Sequence, residues 1–189
     1  MSENEKDKKI SVQTIVLVGV FTAVTAVLSA LPMPFNILGV PATLQTFAMS
    51  FIGFLLGWKL GMAVAGIYLI LGLIGVPVYN GFVAGATVLF GPTGGYIWGF
   101  IIMAGLCGLT LKFKNYAVKV VLTVASIGIC EVLGVIQFSI YMKMAFTDAF
   151  KILMIYIPKD AVFVVIGFVV SIAVRKALIA AKLMPKAAL

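Results

Sequence analysis

Apolar residues in this chain run in long blocks rather than alternating, and short clusters of Pro, Gly, Asn and Lys interrupt the blocks. Ile10 to Leu31 is 22 residues, almost all apolar. A helix needs about 20 such residues to cross a bilayer core. The block exceeds the roughly 7–15 residues of a signal-peptide core, so it reads as a retained first span. Similar blocks follow at 43–57, 60–75, 94–111, 117–141 and 161–181. The pattern predicts an all-α membrane protein of six transmembrane helices, a single membrane domain over 1–189 with residues 1–9 as a short tail. Two breaks stand apart from ordinary turns: Leu31 to Pro41, and Val76 to Pro92 with its Gly and Asn residues. Irregular backbone near membrane depth is tolerated only where protein or a water-filled cavity satisfies it. The breaks therefore predict a crevice at one end of a bundle. No internal repeat aligns convincingly.

Composition agrees with this reading. Of 189 residues, 63% are hydrophobic and only 11% charged, whereas soluble domains carry about 25% charged residues. Mean hydropathy is +1.21. A secreted enzyme, a nucleic-acid binder and a disordered tail protein are all excluded, despite the net charge of +8. The placement of the cations sets orientation instead. Lys6, Lys8, Lys9, Lys59, Lys112, Lys114, Lys119, Arg175, Lys176, Lys182 and Lys186 fall on one side of the predicted spans. Lys143, Lys151 and Lys159 fall on the other. The positive-inside rule then predicts both termini in the cytoplasm (N-in/C-in) and the two breaks outside, as a multi-pass protein of the cell membrane.

Chemistry inside a bilayer is confined to a few polar groups, each costly and so a functional candidate. These are Glu131 and Gln137 in the fifth span, Gln45 with Thr43 and Thr46 at the second, and Asp160 before the sixth. Asp160 also suits a helix N-cap, and Glu131 suits hydrogen-bonded packing. There is no His and no phosphate-binding loop, and Cys107 and Cys130 lie inside apolar blocks. No metal site or cofactor is expected, and neither nucleotide hydrolysis nor a His-based triad can be written. The turn Gly91-Pro92-Thr93-Gly94-Gly95-Tyr96 opens the fourth span. It offers either free N–H groups to an anion or simply close helix packing. Gly19 and Ala23 adjoin a row of Thr22, Ala26 and Ala30 at four-residue spacing in the first span. Such small-residue faces serve internal packing or docking of a partner helix equally well.

Three strings, in this order and spacing, resemble one family. They are Val40-Pro41-Ala42-Thr43-Leu44-Gln45-Thr46, Gly72-Leu73-Ile74-Gly75-Val76-Pro77-Val78-Tyr79 and Gly91-Pro92-Thr93-Gly94-Gly95-Tyr96. The chain resembles BioY, the biotin-binding S component of energy-coupling-factor (ECF) transporters, most densely from Leu31 to Phe100. The resemblance implies an ECF S-component-like six-helix bundle that captures biotin, not an enzyme. It implies a membrane coupling protein (EcfT) and two cytoplasmic ATPases as partners, a lid between the first two spans, and docking through Gly19, Thr22, Ala23, Ala26 and Ala30. It also marks departures. The family tends to have Pro-Gly-Asp before its last span with a Lys three residues beyond, whereas this chain has Pro158-Lys159-Asp160 and Phe163. Tyr79-Asn80 stands where Phe-Ala is frequent, and Glu131 where a Tyr is usual. For biotin, Asp160 and Asn80 are expected at the ureido group, with Gln45 and Thr43 as nearby polar groups. Tyr79, Tyr96, Trp98 and Phe163 are expected as apolar wall, and Lys159 or Gly94-Gly95 at the carboxylate. The rivals are an S component for another vitamin, a solitary facilitator or channel, and an intramembrane enzyme acting through Glu131.

Overall fold

The computed structural model describes residues 11–37 and 40–184. The predicted tail 1–9, with Lys6, Lys8 and Lys9, lies outside the described residues, as do Ile10 and Lys186. Helix α1 (Val12–Ala30) begins where the Ser11 hydroxyl accepts from the Thr14 N–H at 3.2 Å. It stops ahead of Pro32, whose ring pushes the preceding residue out of helical geometry; Leu31 is extended at φ −64°, ψ 118°.

The first break is largely paired, with a shift of register between Pro32 and Asn36. It is an antiparallel hairpin of β1 (Pro32–Ile37) and β2 (Val40–Thr43), with Pro32 opposite Thr43 and Asn36 opposite Pro41. The all-α expectation is corrected accordingly. Pairing satisfies backbone groups of the break that no helix serves, while the Ala30 carbonyl at the end of α1 accepts from the Gly81 N–H of the second break at 3.0 Å. β2 leads into α2 (Gln45–Leu56), and Gly57, at φ 82°, turns the chain directly into α3 (Trp58–Leu73). Only a glycine adopts that angle without strain.

The second break, after α3, holds a bridge between Tyr79 and Val83 and one short helical turn, α4 (Ala86–Leu89). α5 (Gly94–Leu109) continues into a 3-10 turn at Thr110–Lys112. α6 (Tyr116–Met142) starts at Asn115, whose side chain accepts from the Ala117 N–H at 2.8 Å. The expected loop beyond α6 contains an additional helix, α7 (Phe146–Leu153), with Asp148 near its start and Lys151 near its end, as the helix dipole favours. α8 (Ile157–Ala180) then begins earlier than the expected 161. Pro158 sits in its first turn, where a missing N–H costs nothing. Asp160 is therefore inside the helix, and the N-cap reading is corrected.

At 1.5 Å per residue, α1, α5 with its 3-10 turn, α6 and α8 are each about 28 Å or longer, close to or beyond the thickness of a bilayer core. Four segments, Val12–Ala30, Gly94–Lys112, Tyr116–Met142 and Phe146–Ala180, are long and apolar enough to cross a membrane. The expected spans at 43–57 and 60–75 form shorter helices of 12 and 16 residues. α2 is short because it is the centre of the bundle. Eleven of its twelve residues are buried, packed against α1, α3, α5 and α8. Two glycines let backbones approach there: a Cβ on Gly53 would strike the Ala104 carbonyl of α5, and one on Gly99 would come within 3.0 Å of Cys130 on α6. At the far end of α2 the buried Arg175 guanidinium donates to the Phe54 and Leu55 carbonyls, which have no partner inside the helix.

The two ends of the bundle differ. Gln13 of α1 donates to the Lys182 carbonyl at 2.9 Å, and the Lys59 and Lys112 ammonium groups both lie over the Trp58 ring. This end gathers the described residues of the larger cation set. The hairpin, the second break and the start of α8 meet at the opposite end.

Candidate functional site

A cavity of about 220 Å³ opens at that opposite end. One wall is β2 and the start of α2, through Val40, Pro41, Thr43, Gln45 and Thr46. The facing wall comes from the second break and α5, through Tyr79, Asn80, Thr93, Tyr96, Ile97 and Phe100. Tyr156, Lys159 and Asp160 close the third side. Both sequence breaks thus contribute to one site, and the polar residues singled out along the chain converge on it.

Asp160 and Lys159 form an ion pair within the cavity wall, the Asp side chain 6% exposed and the Lys side chain 22%. The Lys159 ammonium also reaches the Thr43 carbonyl at 3.5 Å. It lies 5.1 Å from the centre of the Phe163 ring and 5.8 Å from that of Tyr156, favourable positions for a cation over an aromatic face. Pairing is required here, because a carboxylate removed from water without a partner is strongly unfavourable. Gln45 donates to the Tyr68 hydroxyl at 2.8 Å. Tyr79 donates to the Leu69 carbonyl at 2.8 Å, and its ring meets that of Tyr68 edge-on at 5.6 Å. The Asn80 Oδ1 atom is shielded from solvent and accepts no hydrogen bond. Buried polar atoms in native proteins nearly always have partners, and this oxygen has none in the structure.

Of the residues expected to hold a ligand, Asp160, Lys159, Asn80, Tyr79, Tyr96, Gln45 and Thr43 line the cavity. Gly94, Gly95, Trp98 and Phe163 do not. A Cβ on Gly94 would overlap the Leu89 carbonyl and the Gln137 amide, and one on Gly95 the Leu133 carbonyl. Both positions need glycine for close packing, Gly94 against α4 and α6 and Gly95 against α6. Trp98 is 41% exposed on the outer face of α5; at 98 it lies two residues from Tyr96, and such neighbours point away from one another on a helix. Phe163 stands behind the ammonium of Lys159.

The row proposed for docking divides. Thr22 and Ala30 are buried and Ala26 packs on the core, while Gly19 and Ala23 face outward. Thr22, Ala26 and Ala30 thus belong to internal packing in this structure. Residues that sequence reasoning missed at the cavity are Val83, Val88, Ile97, Phe100 and Tyr156. Only their places in or beside a break could have marked them. Gln137, noticed only as a polar residue within a span, donates to both the Leu89 and Gly91 carbonyls at 2.7 Å. It pins the second break to α6. Glu131 accepts from the Tyr96 hydroxyl at 3.0 Å behind the cavity wall.

Chemically the site offers a carboxylate for N–H donors, amides of either polarity, one cation and an apolar lining. Such a set binds and orients a small polar molecule. Among the described residues, no three His, Cys, Asp or Glu cluster to hold a metal ion.

The BioY family model matches residues 3–180. The chain belongs to the BioY family. Biotin transporter BioY of Thermotoga maritima is 40% identical over 124 residues, 65% of this chain and 72% of that protein. Biotin transporter BioY of Lactococcus lactis subsp. cremoris is 27% identical over 184 residues, 93% of this chain and 95% of that protein. The fold is similar to a crystal structure described as the S-component for biotin from an ECF-type ABC transporter. The TM-score is 0.79 at 27% identity, with 93% of this chain and 95% of that one covered. Membership in BioY and the four apolar helices make this a multi-pass membrane protein. They also give the cavity its context, since BioY relatives carry the name of biotin transporters.

Proposed function

We infer that this chain is the biotin-specific S component of an ECF-type transporter in the cell membrane, capturing biotin at the hairpin end of the bundle. Its six longer helices form one membrane domain with both termini in the cytoplasm. The larger cation set at the other end supports that orientation. Energy comes from partners, a membrane coupling protein (EcfT) and two cytoplasmic ATPases, because the chain has no phosphate-binding loop of its own. Gly19 and Ala23 on the outer face of α1 suit contact with such a coupling protein.

The observation that carries the reading is the set of polar groups around one enclosed cavity. Biotin's ureido ring presents two N–H donors and one carbonyl. Asp160 accepts from an N–H, and Asn80, in the facing wall, meets the rest of the ureido group. Lys159 balances the valerate carboxylate, and Tyr79, Ile97 and Phe100 cover the thiophane ring and alkyl chain. An unpaired ureido group would cost a few kcal/mol in such a cavity, so these partners set selectivity.

The test is a calorimetric titration of the purified chain with biotin in detergent. Calorimetry is preferred to tryptophan fluorescence, because Trp98 does not line the cavity. One-to-one binding, unaffected by riboflavin or thiamine, is expected. Asp160→Ala should lose at least tenfold in affinity, about 1.4 kcal/mol. Unchanged affinity in a folded variant would remove Asp160 from the site, and no binding by the folded wild-type chain would overturn the assignment to biotin.

A further inference from the structure

The cation-rich end of the bundle takes no part in the cavity. Gly57 turns α2 into α3 and makes Trp58 the first residue of α3. Trp58 is held closely by α5, where a Cβ on Gly108 would strike the Trp58 backbone nitrogen. Two exposed lysines from different elements reach its ring. The Lys59 ammonium of α3 lies 5.4 Å from the ring centre, and the Lys112 ammonium of the 3-10 turn lies 4.7 Å from it. At the adjoining start of α6, the Lys119 ammonium is 5.4 Å from the centre of the Tyr116 ring.

Among the described residues, no carboxylate offsets this charge. Asp148 and Asp160 pair with Lys151 and Lys159, and Glu131 accepts from Tyr96. The first turn of α3 has no acidic residue, and the positive end of its dipole falls at Lys59, a place that disfavours a cation. Two ammonium groups at one ring repel each other, and an exposed ring face offsets that only weakly. An anion bound to both removes the repulsion, so the cluster is complementary to a phosphate group.

The surroundings select the source of that phosphate. The 3-10 turn that carries Lys112 packs on α5 and α6. On α6, Tyr116, Val120 and Val124 recur at four-residue spacing, which places them on one face, and all three are exposed. A dissolved anion or an acidic protein surface would use the charges but not this apolar strip. A phospholipid uses both. Aromatic rings and lysine stems at the ends of spans are suited to headgroup depth. We propose that Trp58, Lys59 and Lys112, with Tyr116 and Lys119 at the start of α6, bind the headgroup of an anionic phospholipid whose acyl chain lies along Val120 and Val124. The site is separate from the cavity and does not depend on what the cavity holds.

The chain has two tryptophans, so W98F leaves Trp58 as the single fluorophore. Full-length W98F protein is reconstituted in phosphatidylcholine vesicles, and quenching of Trp58 is compared for phosphatidylglycerol and phosphatidylcholine brominated on their acyl chains. Symmetric vesicles present both lipids to both ends of the bundle, so orientation does not enter. The expected result is stronger quenching by the anionic lipid at equal mole fraction. That preference should fall about fivefold for each lysine removed in K59Q and K112Q, and it should also fall with added salt. Equal quenching by the two lipids in the W98F parent overturns the proposal and leaves the cations to an acidic protein surface. A preference unchanged in the K59Q/K112Q variant overturns it as well. Loss of the preference on adding inorganic phosphate at constant ionic strength reassigns the site to a dissolved anion. Should the double variant fail to fold, the two single variants decide by the same ratio.

Discussion

Tyr156→Phe isolates one contact between the hairpin and the helix that carries Asp160. The Tyr156 hydroxyl donates to the Val40 carbonyl at 2.7 Å, and both residues are buried. Val40 is the first residue of β2 and lines the cavity, so this bond ties the hairpin to the start of α8 across the site. Phe keeps the ring, which packs among Val135, Phe138, Ala149 and Leu153, so the packing term is unchanged. The bond to Val40 is lost, about 1 kcal/mol net, with up to about 3 kcal/mol if the Val40 carbonyl is left buried and unpaired. If the hairpin must lift for ligand to leave, that cost falls on the closed state. Taking about 1.4 kcal/mol, the closed state is weakened tenfold, and biotin should dissociate about ten times faster. Association, which begins from the open state, should change little. Stopped-flow displacement of labelled biotin from purified protein measures both rates. An unchanged dissociation rate in folded Y156F, or a slower association of the same size, would refute the view of the hairpin as a tethered lid.

Other substitutions separate site from scaffold. Gln137→Leu removes the two bonds that pin the second break to α6; it should cost about 1–3 kcal/mol in stability, read as a lower unfolding temperature, and weaken biotin binding through Thr93 and Asn80. Gly95→Val places a side chain against the Leu133 carbonyl and should destabilise by at least about 1–3 kcal/mol, seen as reduced thermal stability in detergent. Trp98→Phe should leave biotin affinity within about twofold, because the ring lies on the exposed face of α5; a larger loss by calorimetry would restore Trp98 to the site.

The helices were legible because bilayer crossing imposes length and apolarity together, and α1, α5, α6 and α8 meet both. The hairpin was not. Pro32, Pro34 and Pro41 read as chain breaks, and pairing between β1 and β2 is a non-local fact that local propensity does not carry. α7 was hidden for a different reason: its charges, Asp148 and Lys151, made a connecting loop the natural reading. At the site, polar residues at the ends of apolar blocks were informative, since burial there demands partners. Gly94 and Gly95 left two readings open because a close helix contact and an anion cradle call for the same residue, and the structure shows the close contact. Trp98 misled because neighbours in sequence point to different faces of a helix.

The Lys159 cation is held by neighbours on its own helix, Asp160 and Phe163. Residues four apart on a helix lie on one face, so 159 and 163 are neighbours although they flank Asp160 in sequence. Lys159 pairs with Asp160 and lies over the Phe163 ring. A long flexible stem thereby holds the charge at the cavity wall. The Phe163 ring is a platform for the ammonium. Lys159→Met should accordingly weaken biotin binding well beyond what loss of a surface charge does, whereas Phe163→Leu should cost only the cation–aromatic share, about 0.5–2 kcal/mol. Equal losses in the two variants, measured by the same calorimetric titration, would contradict this division of roles.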